Sequence, residues 1–325
     1  MRVRRPGDFV AVVPYLLGFH PAESLVVVLS RQGAVVLTAR LDLPAAGCAG
    51  AVLDQLVGLS AQHHVDELVL LAYSDDAAAA RQLLVALLAG VPDGVSVREA
   101  LLVSRGRWWS LTCSGGCCPE DGTPFDPTDH PLAAEAVYAG LGVQPDRAAV
   151  AASVRGPDAA DLATLRAELE RSRSVAAALE RPAAARLMAA TVREELARPD
   201  PPDDPTATLL AALALDLTVR DVAWALMDRD AVQDHLRVWG AVVSRSPDEV
   251  ASAPLGLLGM AAWISGDGAL MNCCVERLER CDPGYTLGHL LAEISERALA
   301  PSLWEEMVAD LRSEVGAVAG GVHLH

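Results

Sequence analysis

"ESLVVVLSRQGAVVLTARL", Glu23 to Leu41, decides the fold. Two β-branched, apolar runs, Ser24 to Leu29 and Ala34 to Leu41, flank a short connection centred on Arg31-Gln32-Gly33. Runs of this length with a glycine-bearing turn between them read as a β-hairpin. The pattern spreads outward from there. Glu67 to Tyr73, Val95 to Ser104 and Arg107 to Thr112 are further strand-sized runs, the last two joined by Arg105-Gly106 as a second hairpin. Phe9 to Val13 is read as a strand as well. Gly47 to Gln62 and Asp76 to Ala89 carry apolar residues at helical spacing, as in Leu83, Leu84, Leu87 and Leu88. Strands, helix, strand, helix and strands in that order predict an α/β domain with a mixed sheet.

The strand signal stops near Asp146, so the expected division is an α/β domain over 1–146 and an all-α domain over 147–325. Ser246-Pro247-Asp248-Glu249 reads as a capping box, Thr218 with Asp221 as a weaker one, and Pro182 and Pro301 as first-turn prolines. "RPDPPDDP", 198–205, reads as an exposed linker. Pro254 to Leu291 reads as two apolar helices meeting at Gly266-Asp267, with a third beginning after Asp282-Pro283-Gly284. This grammar resembles one tetratricopeptide-type helical hairpin, although such units are normally stable only when several stack.

Composition narrows the chemistry. The 325 residues are 52% hydrophobic and 21% charged, enough for a sizeable core. A net charge of −17 argues against general nucleic-acid binding and against anionic membranes. No lysine occurs, which excludes Schiff-base chemistry and the lysine-dependent phosphate motifs. The apolar runs are too short to span a bilayer, and the start "MRVRRPGDF" lacks a signal-peptide pattern. The seven cysteines are clustered and odd in number, unlike a secreted disulfide framework. The expectation is a cytoplasmic protein.

Three groups of residues could carry function. Cys113, Cys117, Cys118 and His130 supply the donor set of a structural zinc site, against the alternatives of a disulfide or buried thiols. Asp42, Ser74 and Asp75 end strands, where an α/β sheet gathers ligands, and could hold a hard metal or act as acid and base. Helix capping is the structural alternative for Ser74 or Asp75. Tyr15, His20 and Ser24 lie in or beside a proline- and glycine-stiffened stretch, and Trp108 and Trp109 must point to opposite faces of their strand. All five are binding candidates.

The stretches "VPYLLGFHPAESLVVV", "GRWWSLTC", "CCPEDGTP", "AAEAVYAGL" and "WISGDGALMNCCVERLERCDPGYTL" resemble, in that order, an actinobacterial family known as domain of unknown function 4192, DUF4192. The resemblance runs over nearly the whole chain and implies the family's fold; it implies no activity and no catalytic residues. "CSGGCCPEDG" looks like a short version of the family's cysteine loop. With no catalytic motif in the residues, the leading expectation is a binding or scaffold module that engages a protein partner or small ligand, the partner through the helical domain. The alternative is a hydrolase-type enzyme with an acidic, metal-dependent pocket at the strand ends.

Overall fold

The computed structural model describes residues 3–113, 115, 118–138 and 142–318. The chain divides into two compact units, Met1–Arg147 and Ala148–His325. Among the described residues no helix is long and apolar enough to cross a membrane.

The first unit runs α1 (Pro6–Leu17), β1 (Ser24–Arg31), β2 (Ala34–Asp42), α2 (Ala49–His63), β3 (Glu67–Tyr73), α3 (Ala77–Gly90), β4 (Ser96–Ser104), β5 (Arg107–Ser110), β6 (Thr123–Pro124) and α4 (Pro131–Tyr138). The strands form one mixed sheet in the order β2-β1-β3-β4-β5-β6, with β3 and β4 parallel and the other pairs antiparallel. Both expected hairpins turn on two residues of positive φ, Gln32-Gly33 and Arg105-Gly106, which suits the twist of the flanking strands. Leu25, Val27, Leu29, Leu68, Leu70, Ala72, Ala100 and Leu102 form one face and pack with α2 and α3. α1 packs on β2, β4 and α4. β1 and β3, buried almost end to end, show why their sequences are continuous apolar runs rather than alternating ones.

The expected strand at Phe9 to Val13 is a correction: these residues lie inside α1. Pro6 occupies the first turn, where no N–H is needed, and the Asp8 carboxylate accepts the Arg4 and Arg5 N–H groups at 2.7 and 2.9 Å. Gly18, at φ 77°, ends the helix. A five-residue apolar run carries no period that separates a buried strand from a buried helix.

The second unit is helical: α5 (Arg147–Ser153), α6 (Leu162–Ala177), α7 (Arg181–Leu196), α8 (Asp204–Leu213), α9 (Leu217–Ala225), α10 (Val232–Ser244), α11 (Ser252–Ser265), α12 (Gly268–Cys281), α13 (Thr286–Glu296) and α14 (Trp304–Val318). α6 packs on α8, α7 on α9, and α11 on α10, α12 and α13. α11 is buried on every side from Ala253 to Ile264, as its nearly unbroken apolar sequence requires. Pro182 sits in the first turn of α7, and Pro301 opens a short 3-10 turn that leads into α14.

Three local expectations change. Ser246 does not cap: its hydroxyl donates to the Val242 carbonyl at 2.7 Å, closing α10, and only a 3-10 turn follows. The cap of α9 is Asp216, which accepts the Thr218 and Val219 N–H groups, rather than Thr218. The 198–205 linker ends early, because Asp203 caps α8 and Pro205 lies in its first turn. The segment is also held in place. Arg237 donates to the carbonyls of Asp200 at 2.8 Å and Glu195 at 3.0 Å, and Pro202 is buried.

Candidate functional site

At one edge of the sheet, Ser24 at the start of β1 pairs with Asp42 of β2 and with Tyr73 of β3. The strands ending at Asp42 and Tyr73 therefore run parallel, but β1 separates them. Asp42 is 91% and Asp75 80% exposed. Asp42 pairs with Arg40 at 2.5 Å, and Asp75 faces Arg105 at 4.0 Å.

Ser74 is buried and fully committed: its hydroxyl donates to Glu23 Oε2 at 2.8 Å and accepts the Asp76 N–H at 3.0 Å. The other Glu23 oxygen accepts the Asp75 N–H at 2.8 Å. Glu23 has a φ of 42°, a conformation that costs a non-glycine residue about 1 kcal/mol. That strain places its carboxylate over the β3–α3 turn. The N-cap of α3 is Asp76, which accepts the Ala78 and Ala79 N–H groups, and not Ser74 or Asp75. Ser24 is fully buried, donating to the Ala22 carbonyl at 2.6 Å and accepting Arg40 Nε at 2.8 Å. The cluster thus fastens strand ends together and leaves Ser74 no exposed, base-activated hydroxyl. Glu23 and Arg40, its two organisers, were not among the sequence candidates, because Ser74 and Asp75, which Glu23 binds, and Ser24, which Arg40 binds, lie far from them in sequence.

Tyr15 is half-buried on α1, and His20 is exposed. The backbone N–H of His20 donates to Gln144 at 3.1 Å, and Gln144 donates to Gly18 at 2.8 Å, so this stretch is a helix cap and a bridge rather than a turn between strands. On β3, Tyr73 Oη is buried with no hydrogen-bond partner among the described residues, and burial pushes its hydroxyl well above the ordinary range. Removing an unpaired hydroxyl removes its desolvation cost. Tyr73→Phe is therefore expected to leave stability unchanged or raise it by up to about 1 kcal/mol in urea unfolding. A loss of more than that would show that the hydroxyl has a partner.

Trp108 and Trp109 do take opposite faces. Trp108 comes within 3.6 Å of the space beside Gly7 of α1. Trp109 packs on the core shared with α2 and α3, and its Nε1 donates to the Glu120 carbonyl at 2.9 Å. Gly122 lies over Trp109 at φ 77°, where an added Cβ would come within 2.4 Å of the indole. Gly122→Ala combines that overlap with a disfavoured φ, and a loss of about 2–3 kcal/mol in urea unfolding is expected.

Of the zinc candidates, Cys117 lies outside the described residues, and Cys113 and Cys118 are half-buried. Both nitrogens of His130 are occupied. Nε2 faces Asp8 Oδ1 at 3.3 Å, and Nδ1 accepts the Leu132 N–H at 3.3 Å at the start of α4. Burial acts to raise the Asp8 carboxyl, but the Arg4 and Arg5 N–H groups and His130 outweigh it and hold the group below its ordinary value. Among the described residues no group of three His, Cys, Asp or Glu side chains is placed to hold a metal.

The helical unit has an open groove of about 480 Å³ where the ends of α6 and α8 meet the starts of α7 and α9. Ala176, Ala184, Leu213 and Val219 contribute apolar lining, and Arg173, Arg181 and Asp216 polar lining. Leu215 lines it while 46% exposed, and Val175 and Leu217, neighbours in sequence to its lining, are 49% and 50% exposed. Burial acts to raise the Asp216 carboxyl, but the bond from Arg181 Nε at 2.8 Å and the Thr218 and Val219 N–H groups hold it below its ordinary value. Asp216 therefore stays ionised and keeps Arg181 engaged. No sequence motif marks the groove, since its lining comes from four helices.

No curated protein and no solved structure matches the chain. The family model described as domain of unknown function DUF4192 matches residues 6–302, nearly the whole chain, and the protein belongs to that family.

Proposed function

We propose that the protein is a binding module whose ligand site is the groove at the ends of α6 to α9. The observation that carries this reading is the groove itself, a concave, largely apolar surface with a few charged groups at a place where large apolar side chains stay exposed. The packing of alternate helices, α6 on α8 and α7 on α9, supports a scaffold of stacked hairpins. The α11–α12 pair keeps its tetratricopeptide-like character in this reading. Gly259 lets Cys274 of α12 approach to within 3.4 Å of where a Cβ would lie, and Gly256 and Gly259 admit Leu287 and Leu291 of α13, the helix that follows the pair, to within 2.8 and 2.6 Å. The hydrolase alternative has less to stand on, because Ser74 and Glu23 bind each other and Asp42 is paired with Arg40.

The test is fluorescence titration with anilinonaphthalene sulfonate, an apolar anion, against the full chain. The folded protein is expected to bind the dye. Leu215→Glu with Leu217→Glu is expected to weaken binding roughly tenfold or more, in line with placing carboxylates in an apolar site. Asp42→Asn, at the sheet edge, is expected to leave it unchanged. Binding that ignores the double substitution, or that is lost in Asp42→Asn, would remove the groove as the ligand site.

A further inference from the structure

We infer that two copies of the chain associate through β2, each pairing antiparallel with the other's β2 across a two-fold axis, so that the sheet continues from one chain into the next. The two edges of the sheet differ. At one, β6 is two residues long and contains Pro124, which offers a ladder no N–H. At the other, β2 runs nine residues, Ala34–Asp42, without a proline, and among the described residues no strand but β1 pairs with it. The Glu23 carbonyl accepts the Leu43 N–H on the β2 side of β1, and the Ser30 carbonyl accepts the Asp66 N–H on the β3 side. By strand alternation Leu37, Ala39 and Leu41 direct their backbone groups to β1, while those of Val35, Thr38, Arg40 and Asp42 point outward.

This edge is complementary to itself. With Ala39 on the axis, Thr38 of one copy faces Arg40 of the other, and Leu37 faces Leu41. The register shift opposite Leu29 and Ser30 leaves Val36 as a bulge, so Val35 faces Asp42 of the other copy. Each outward-pointing residue thus meets another, and each side chain meets one on its own face of the sheet. Leu37 and Leu41 are only partly covered by the core under α2 and α3, and exposed Val35 is not covered at all, so pairing adds apolar burial at all three. Charge also favours a second copy here. A chain of net charge −17 repels itself over most of its surface, whereas residues 31–42 hold Arg31 and Arg40 against the single carboxylate of Asp42.

Light scattering of the full chain on gel filtration, over a concentration series, tests this. Twice the mass of one chain is expected at the higher concentrations. Val35→Glu sets a carboxylate opposite Asp42 of the other copy, twice per dimer, and is expected to raise the dimer Kd roughly tenfold or more. Val35→Lys, attracted to the same carboxylate, is expected to keep the dimer. Thr38→Pro removes an outward N–H, leaves the β1 ladder intact and is expected to weaken the dimer by a similar factor. Urea midpoints check that each variant is folded; if Thr38→Pro is not, the two substitutions at exposed Val35 decide alone. A monomer at every concentration overturns the self-pairing. A dimer that Val35→Glu leaves at parental strength puts the interface elsewhere and overturns it too. Equal weakening by Val35→Glu and Val35→Lys overturns the register centred on Ala39.

Discussion

Arg277→Met is expected to destabilise the helical unit by about 3 kcal/mol, seen as a lower urea midpoint with an unchanged slope. Arg277 lies on α12 and is buried. Its Nη1 donates to the Val154 carbonyl at 2.7 Å, and Nη2 donates to the Ser246 carbonyl and to Asp248 Oδ1, both at 2.9 Å. One side chain thus joins three segments that are far apart in sequence. Asp248 is largely exposed and regains water when the arginine is lost, so the Coulombic loss is small. The loss comes instead from the two carbonyls: each buried acceptor left unpaired costs about 1–3 kcal/mol. Methionine keeps much of the apolar stem, which confines the measured change to the hydrogen bonds. A change under about 1 kcal/mol would mean that the carbonyls find water.

The second large effect is on acid stability. His235, on α10, has no exposed surface, and neither ring nitrogen has a hydrogen-bond partner among the described residues. Burial lowers its pKa from 6.5 to about 4, against smaller opposing effects of the Leu226 carbonyl and the Asp234 and Asp228 carboxylates. The Leu226 carbonyl acts on the ring without meeting hydrogen-bond geometry, so burial decides the direction. The folded protein holds the ring neutral, whereas the unfolded chain takes up a proton below its ordinary pKa. Stability is therefore unaffected above about pH 6.5, falls as the pH drops and levels off below about pH 4. The full loss is about 3 kcal/mol. His235→Leu is expected to flatten this part of the profile relative to the parent. Parallel profiles for the two proteins between pH 7 and pH 4 would show that His235 does not carry it.

The sequence was most legible where local chemistry forces a backbone. Gln32-Gly33 and Arg105-Gly106 could be read as hairpin turns because glycine accepts positive φ, and the β-branched runs on either side left little choice of structure. Phe9 to Val13 was not legible, since an apolar run without period fits a strand as well as a buried helix. The signal that would have helped was Arg5-Pro6-Gly7-Asp8, a proline in the first turn with a carboxylate behind it. Capping reversed for a related reason. Ser246 has the residues of a capping box around it, but a serine four residues after Val242 can equally return its hydroxyl to that carbonyl. At the sheet edge, Asp42, Ser74 and Asp75 were correctly placed at strand ends, yet the roles of Ser74 and Asp75 depend on Glu23, which only strand pairing brings near, while Asp42 pairs with Arg40 two residues before it on the same strand. The groove had no local signature at all. Arg173, Arg181 and Leu215 look like ordinary surface residues until α6 to α9 are packed.

Amide hydrogen exchange of the full chain, with and without saturating anilinonaphthalene sulfonate, reads out which surface the ligand covers. Slower exchange is expected only at residues lining the groove, at 176–184 and 212–219. Slower exchange at 22–25 and 73–76 instead, with the groove unchanged, would contradict the groove as the ligand site and place it at the sheet edge.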